Sequence, residues 1–472
     1  MRYLTALLLL AWLALPAMAR NPLDFTLLQL QGDLPGPTIL VVGGIQGDEP
    51  GGFNAAGMLA SHYTIRRGNV WVVPNLNFPS IINRSRGLHG DMNRKFAQLR
   101  RDDPEYDTVE RIKAIIRHPQ VDMVINLHDG SGFYHPQWQD TTRNPHRWGQ
   151  CVIIDQADIN APRFGKLDTM AAQAVADVNN ALLRPYDQYH LKNTHTRDGD
   201  TEMEKTLTYF AINNGKPAFG VEASKSFGTA TRAYYHIQVL ESFLRQAGVE
   251  FTRDFPLSPQ GLEAAMSRNL QLAFHNGKFL LDMQNVRSTL RYVPLSREAA
   301  TDFTPSKPLL TLVDDDGGYR VYYGNNRLTH LMPQYFEYDD SLESLRILVD
   351  GQYRTTPMGS IVPVSTSFTV APMAGYRVNI IGVTRPGVPS ECGMAIRKSD
   401  FLPGFSVDTE ETLYRVEVYR GSRFSGMVLV RFTNDLAPST RVVTTESNRD
   451  RLAVQDQTKT SLEPSPDDWS GR

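Results

Sequence analysis

Short apolar runs that end on glycine, proline or a polar residue alternate with amphipathic stretches through the first half of the chain. Residues 38–42 (TILVV) run into paired glycines, as a strand buried on both faces of a parallel sheet does. A helix follows over 51–60. Further strands are predicted over 69–73, closed by Pro74, over 121–127, over 151–154 and over 218–221. Helices are predicted over 166–183, ahead of Pro185, and over 229–247, where Val239, Leu240, Phe243 and Leu244 share a stripe and Gly248 stops the turn. The alternation predicts an α/β domain over 20–250, with a mixed, mostly parallel sheet and helices on both faces. In such sheets, sites form beyond the carboxyl ends of the strands.

After about residue 255 the helical period fades. Short β-branched and aromatic runs take over, separated by turn dipeptides. Asn276-Gly277 between LAF and FLL is a hairpin signal. Asp316-Gly317-Gly318, Asp350-Gly351 and Arg420-Gly421 mark further turns. The pattern predicts two small all-β domains, over 255–345 and 346–437. The polar, Ser/Thr-rich stretch 438–472 is expected to be a disordered tail. Asp314 to Asp316 lack the glycine and glutamate spacing of an EF-hand loop and read as a solvated turn.

The first nineteen residues read as a secretory leader. Arg2 supplies the positive start, residues 4–15 are apolar, and Ala17-Met18-Ala19 is a small-x-small cleavage site. That run is too short to span a bilayer, and no later run matches it. The expected location is therefore periplasmic, with no membrane span. A length of 472 residues implies two or three cores. The net charge of −2, without a basic block, argues against a nucleic-acid partner. Cys151 and Cys392, far apart in sequence, read as buried free thiols.

The chain has no Ser-x-x-Lys, Gly-x-Ser-x-Gly, phosphate-binding glycine loop or His-Glu-x-x-His. What it offers lies where strands end. Gln46 and Glu49, three apart, follow the first strand with the spacing of a His-x-x-Glu metal site whose histidine is absent. His128 and Glu222 follow two other strands. Alone, His128 reads as a hydrogen-bonded core residue, whereas a lone Glu222 would be costly to bury. Together they match an open zinc site with three protein ligands and a nearby carboxylate. Between strands, residues 74–96 carry Arg84, Arg86 and the run Asp91-Met92-Asn93-Arg94, suited to gripping a carboxylate and an oxyanion.

Taken in order, Gln46-x-x-Glu49, Arg86, Asp91-x-Asn93-Arg94, His128 and Glu222 resemble the motif set of the M14-type zinc carboxypeptidases. Within that group they are most similar to the cell-shape-determining DL-carboxypeptidases of helical proteobacteria, which also carry glutamine for the first histidine and two β domains after the catalytic one. The resemblance covers about residues 21–435. It implies that Gln46, Glu49 and His128 hold one zinc ion per catalytic domain. Glu222 would be general base and acid, and Arg86 would polarise the scissile carbonyl. Asn93 and Arg94 would hold the terminal carboxylate, with Trp148 as a substrate contact. The implied substrate is a peptidoglycan stem peptide, a tripeptide trimmed to a dipeptide by release of diaminopimelate. Thr208 or Tyr209 stands where the wider group places a substrate-capping tyrosine. Asp91 is expected to accept a hydrogen bond from the Gln46 amide and so turn its oxygen toward the metal. Two rivals remain at this level: a zinc-dependent deacylase or amidase of the same fold, and a metal-free cell-wall-binding pseudoenzyme. Cell-wall protein partners, or dimerisation through the β domains, are compatible with the sequence.

Overall fold

A computed structural model describes residues 21–298 and 300–433. The leader pattern at 1–19 and the polar stretch at 438–472 lie outside the described residues. The first elements are β1 (Leu28–Gln31), β2 (Leu34–Val42), α1 (Pro50–His62), β3 (Tyr63–Val73), α2 (Phe78–Ile82), α3 (Tyr106–Arg117) and β4 (Val121–Gly130). The short pair β5 (Phe133–Tyr134) and β6 (Arg143–Asn144) precedes β7 (Cys151–Ile154), α4 (Leu167–Asn179) and β8 (His190–Asn193). Then come α5 (Leu207–Asn213), β9 (Ala218–Ser224), α6 (Thr229–Gln246), β10 (Glu250–Arg253) and α7 (Pro259–Ser267).

Eight strands form one sheet in the order β1-β3-β2-β4-β9-β7-β8, with β10 also on β3. The centre β3-β2-β4-β9 is parallel. β1 and β10 join β3 antiparallel, and β7 joins β9 antiparallel. The central strands are buried without alternation, Ile39 to Val42 and Val124 to Ile125 being wholly enclosed. Both faces are therefore covered, the condition for a parallel sheet. α1, α4, α6 and α7 pack on one another, while α3 and α5 lie against β4. α1 opens on Pro50, whose fixed φ suits a first helical position. It is built of Gly and Ala because it is pressed on the sheet: a Cβ on Gly52 would stand 2.8 Å from the Leu127 carbonyl oxygen.

Beyond α7 the described chain is short strands. Gln271–Phe274 and Phe279–Asp282 form the hairpin around Asn276-Gly277. The turns at Asp316-Gly317, Asp350-Gly351 and Arg420-Gly421 also close antiparallel pairs. In the last strand, Arg423–Phe432, alternate residues enter different cores. Phe424, Met427 and Leu429 join an apolar cluster with Leu272, Phe279 and Leu309. Val428, Val430 and Phe432 join one with Val364 and Phe368. Period-two side-chain direction thus lets one sheet serve both β regions, and the packing is continuous where the sequence texture breaks near residue 345. The first of these clusters also takes in Phe53 of α1 and Phe78 and Ile81 of α2. Cys151 and Cys392 are free, Cys151 buried as expected and Cys392 only half-buried. Among the described residues, no helix is long and apolar enough to cross a membrane.

Candidate metal and catalytic site

The turn leaving β2 begins with Gly43 and Gly44, the latter left-handed at φ +72°. It delivers Gln46 and Glu49 into the interior, where they are 2% and 3% exposed. β4 and β9 run further than their apolar runs suggest. The parallel ladder continues to Gly130 and Ser224, so His128 and Glu222 lie within strands as direct cross-strand neighbours. Residues nearly a hundred apart are thereby set side by side by register alone.

Three donor atoms converge. His128 Nδ1 lies 3.1 Å from Gln46 Oε1 and 3.0 Å from Glu49 Oε2. The Gln46 amide is fixed from behind, its Nε2 donating to Asp91 Oδ1 at 2.7 Å, so its oxygen faces the imidazole. Asp91 is itself pinned. Oδ2 accepts Arg86 Nε at 3.0 Å, and Oδ1 accepts the Asn93 backbone N–H at 3.0 Å. Burial alone would raise the Asp91 carboxyl, but the Gln46 amide and the Arg86 and Arg94 guanidiniums outweigh it and hold the carboxyl below its usual range. On the far side of the imidazole, Asn126 Nδ2 lies 2.7 Å from Nε2. Turned end for end, the same amide would accept an Nε2 proton, the usual support for a metal-ligating histidine, and leave Nδ1 free toward Gln46 and Glu49.

Behind the cluster, Asp129 clamps the glutamate turn. Its backbone N–H donates to Glu49 Oε2 at 3.1 Å, and its Oδ2 accepts the Gly51 N–H at 2.8 Å. Arg232 and His236, each 3.0 Å away, offset this buried anion. Glu49 Oε1 sits between Arg86 (3.5 Å) and Lys225 (3.6 Å). Glu222 is buried with Oε2 lacking any hydrogen-bond partner. Burial pushes its carboxyl well above the ordinary range, Glu49 and Asp129 push the same way, and Lys225 and Arg86 pull back only in part.

The residues present fit a divalent cation. An amide oxygen, a carboxylate oxygen and an imidazole nitrogen meet in a buried cluster where Glu49, Asp129 and Glu222 repel one another and one carboxylate oxygen is orphaned. Among the described residues, no three His, Cys, Asp or Glu side chains gather as a metal cage. This cluster differs because its third donor is an amide.

Asn93 borders the site, its Nδ2 3.5 Å from His128 Nε2 and its Oδ1 accepting the Leu207 N–H at 3.0 Å. Arg94 donates to the Asn93 carbonyl and lies 3.7 Å from Glu202. Trp148 is half-buried, with its backbone against Gly130. Lys192 Nζ stands 3.7 Å over its ring and donates to the carbonyls of Pro145 and Arg147. Thr208 is buried, its hydroxyl 3.2 Å from that of Thr206. Tyr209 lines a separate cleft with Phe96, Lys113 and Arg117. Lys225, Asp129, Asn126 and Lys192 are not foreseen in the sequence. Only Asn126, two before His128 and hence on the same strand face, carries a readable signal.

Comparison with known proteins follows this geometry. The sequence pattern described as the catalytic part of a carboxypeptidase controlling helical cell shape matches residues 3–267. That of a C-terminal domain of metallo-carboxypeptidase matches residues 338–433. The apo structure of cell shape determinant protein Csd4 from Helicobacter pylori is 40% identical with a TM-score of 0.80, the match covering 87% of this chain and all of that one. Its tripeptide-bound structure matches with the same identity, TM-score and coverage. An mDAP-bound form, described as a D,L-carboxypeptidase, is 41% identical with a TM-score of 0.79, over 84% of this chain and 97% of that one. No curated protein sequence matches.

Proposed function

The chain belongs to the family of carboxypeptidases that control helical cell shape, and on that premise we propose that it is a zinc-dependent DL-carboxypeptidase of the periplasm. It trims a peptidoglycan tripeptide stem to a dipeptide, releasing terminal diaminopimelate. The observation that carries this reading is the convergence of Gln46 Oε1 and Glu49 Oε2 on His128 Nδ1, at 3.1 and 3.0 Å, beside a Glu222 left without a partner. Gln46, Glu49 and His128 would hold the zinc. Bound there, it supplies Lewis acidity toward the scissile carbonyl and the attacking water.

Glu222 lies beside the ligands on the neighbouring strand, with one buried carboxylate oxygen free of any hydrogen-bond partner among the described residues. It takes a proton from the attacking water and later hands it to the leaving amine, so that the carboxylate is regenerated. Arg86, half-exposed and held by Asp91, presents its remaining guanidinium hydrogens to the carbonyl oxygen as negative charge develops. The terminal carboxylate docks on Asn93 Nδ2 and Arg94, and Trp148 forms one wall. The leader pattern and the cell-wall substrate together support export.

The test is mass spectrometry of purified muropeptides before and after treatment, with and without chelator, alongside N-acyl amino acids as alternative substrates. Conversion of tripeptide to dipeptide only with metal present is the expected result. Hydrolysis confined to the N-acyl amino acids, or none at all, would overturn the proposal.

A further inference from the structure

Half of the turn that carries Gln46, GGIQGDEPGG, is glycine, so beside the bonds to Asp91 and Asp129 its backbone can lie directly on its neighbours. The element it lies on is α2. A Cβ on Gly47 would lie 2.0 Å from the Ser80 carbonyl oxygen, and one on Gly44 would lie 2.7 Å from Ile81 Cδ1. The Gly47 N–H donates to the Ser85 carbonyl at 2.9 Å. The turn thus lies backbone to backbone on α2 and the residues after it, and Arg86 is the next residue along.

α2 spans only five residues, far below the length at which a helix stands alone. Its stability comes from where Phe78 and Ile81 point, which is into the apolar cluster of the first β region. That region, residues 270–335, touches the catalytic elements along a line. Leu309 Cδ1 would meet a Cβ on Gly57 of α1 at 2.8 Å, and Gly324 abuts the Phe53 ring. The Pro308 carbonyl accepts Asn75 Nδ2 at 3.4 Å. At its end, the Asn325 carbonyl accepts Arg84 Nε at 2.9 Å. Arg84 is left-handed at φ +51°, a conformation disfavoured for such a side chain and held here two residues before Arg86.

We infer that the first β region is part of the catalytic apparatus: through α2 and the Arg84–Asn325 link it sets the position of Arg86 and of the Gln46 turn. Arg84 is then a positioning residue acting through Arg86. The inference rests on the carbonyl-polarising role of Arg86 proposed above.

Arg84→Asn in the full chain tests it, because asparagine tolerates the left-handed turn but cannot reach Asn325. Amide exchange should quicken across residues 78–91. kcat on the tripeptide should fall about fivefold, the weight of one lost hydrogen bond, with KM and metal content unchanged. In an Arg86→Met background the same change should cost nothing more, and Arg84→Lys should restore part of the rate. Unchanged exchange, or an equal loss of rate in both backgrounds, would overturn the inference. Should the wild-type protein release no diaminopimelate, the proposed function falls, and the exchange comparison still decides whether the β region steadies the turn.

Discussion

Two buried glutamates on strands show how differently two regions of this molecule treat charge. Glu417, in the C-terminal β region, is 2% exposed, and Glu222, in the catalytic sheet, is 8% exposed. Burial raises both carboxyls above their ordinary range. Glu417 draws its partners from its own strand face, two residues either way: Arg415 NH1 at 3.3 Å and the Tyr419 hydroxyl at 2.6 Å. Glu222 has Gly220 and Ser224 at those positions, and its strongest charged neighbours, Glu49 and Asp129, share its sign. A buried charge with local partners is a packing solution. A buried charge set among like charges is a standing cost that a fold retains where function repays it. A divalent cation at the cluster reverses the local logic and makes those same charges favourable.

The change that would break this contrast most severely is Glu222→Gln. We expect turnover to fall by ~10²–10⁴-fold, the span of a general acid–base group. Bound metal should stay at the wild-type level, and in the metal-free protein the melting temperature should hold or rise because one repelling charge has gone. Near-normal kcat would remove Glu222 from the proton path. Next is Asp91→Ala, which frees the Gln46 amide to rotate. Metal affinity should drop ~10–100-fold, the usual penalty for losing a ligand's hydrogen-bond partner. A chelator-competition titration indistinguishable from wild type would show that the amide keeps its orientation unaided. Smaller again is Lys192→Met, which releases the carbonyls of Pro145 and Arg147 and the face of Trp148. With ~1 kcal/mol typical of a partly desolvated cation–π contact, KM for the tripeptide should rise about fivefold at unchanged metal content. No change in KM would leave Trp148 without a part in binding.

The same contrast bears on what the sequence could reveal. Gln46, Glu49, His128 and Glu222 were visible because each follows an apolar run, and a polar side chain there is anomalous whatever the fold. The Gln46–Asp91 hydrogen bond was inferable because a glutamine in a ligand position needs something to turn it. Lys225 gave no sign, since a lysine after a strand is ordinarily solvated. The clamp on Asp129 was hidden too, because His236 and Arg232 reach it from a helix more than a hundred residues away. α3 is absent from the elements read in the sequence although Val109, Ile112, Ile115 and Ile116 keep the helical period and charged residues mark the opposite, solvent-facing side. The β texture after residue 255 was legible from turn dipeptides and alternation. That one sheet serves two cores was not, since period two says only that neighbouring side chains face opposite ways and not what lies on either side. Nor could propensity place Phe78 and Ile81 in the core of a region that begins almost two hundred residues later.

The gentlest probe of the comparison is the pH dependence carried by Glu417. Its folded carboxyl is pushed up by burial, against the pull of Arg415, the Tyr419 hydroxyl and Arg377. The folded state therefore keeps a proton that the unfolded chain gives up near the ordinary value of 4.5. Between that pH and the raised value the native state binds more protons than the unfolded state, so stability falls as pH rises through the window. Glu417→Gln cannot titrate. Its melting temperature should lose less than that of the wild type on going from about pH 4.5 to pH 8, by about 2 °C if the difference is near 1 kcal/mol. An amide still accepts the Tyr419 hydroxyl, so the variant should fold. Parallel melting curves across that range would mean that Arg415 and Tyr419 already neutralise the charge in full. The contrast with Glu222 would then be sharper still, a compensated carboxylate against one that the described side chains leave without a partner.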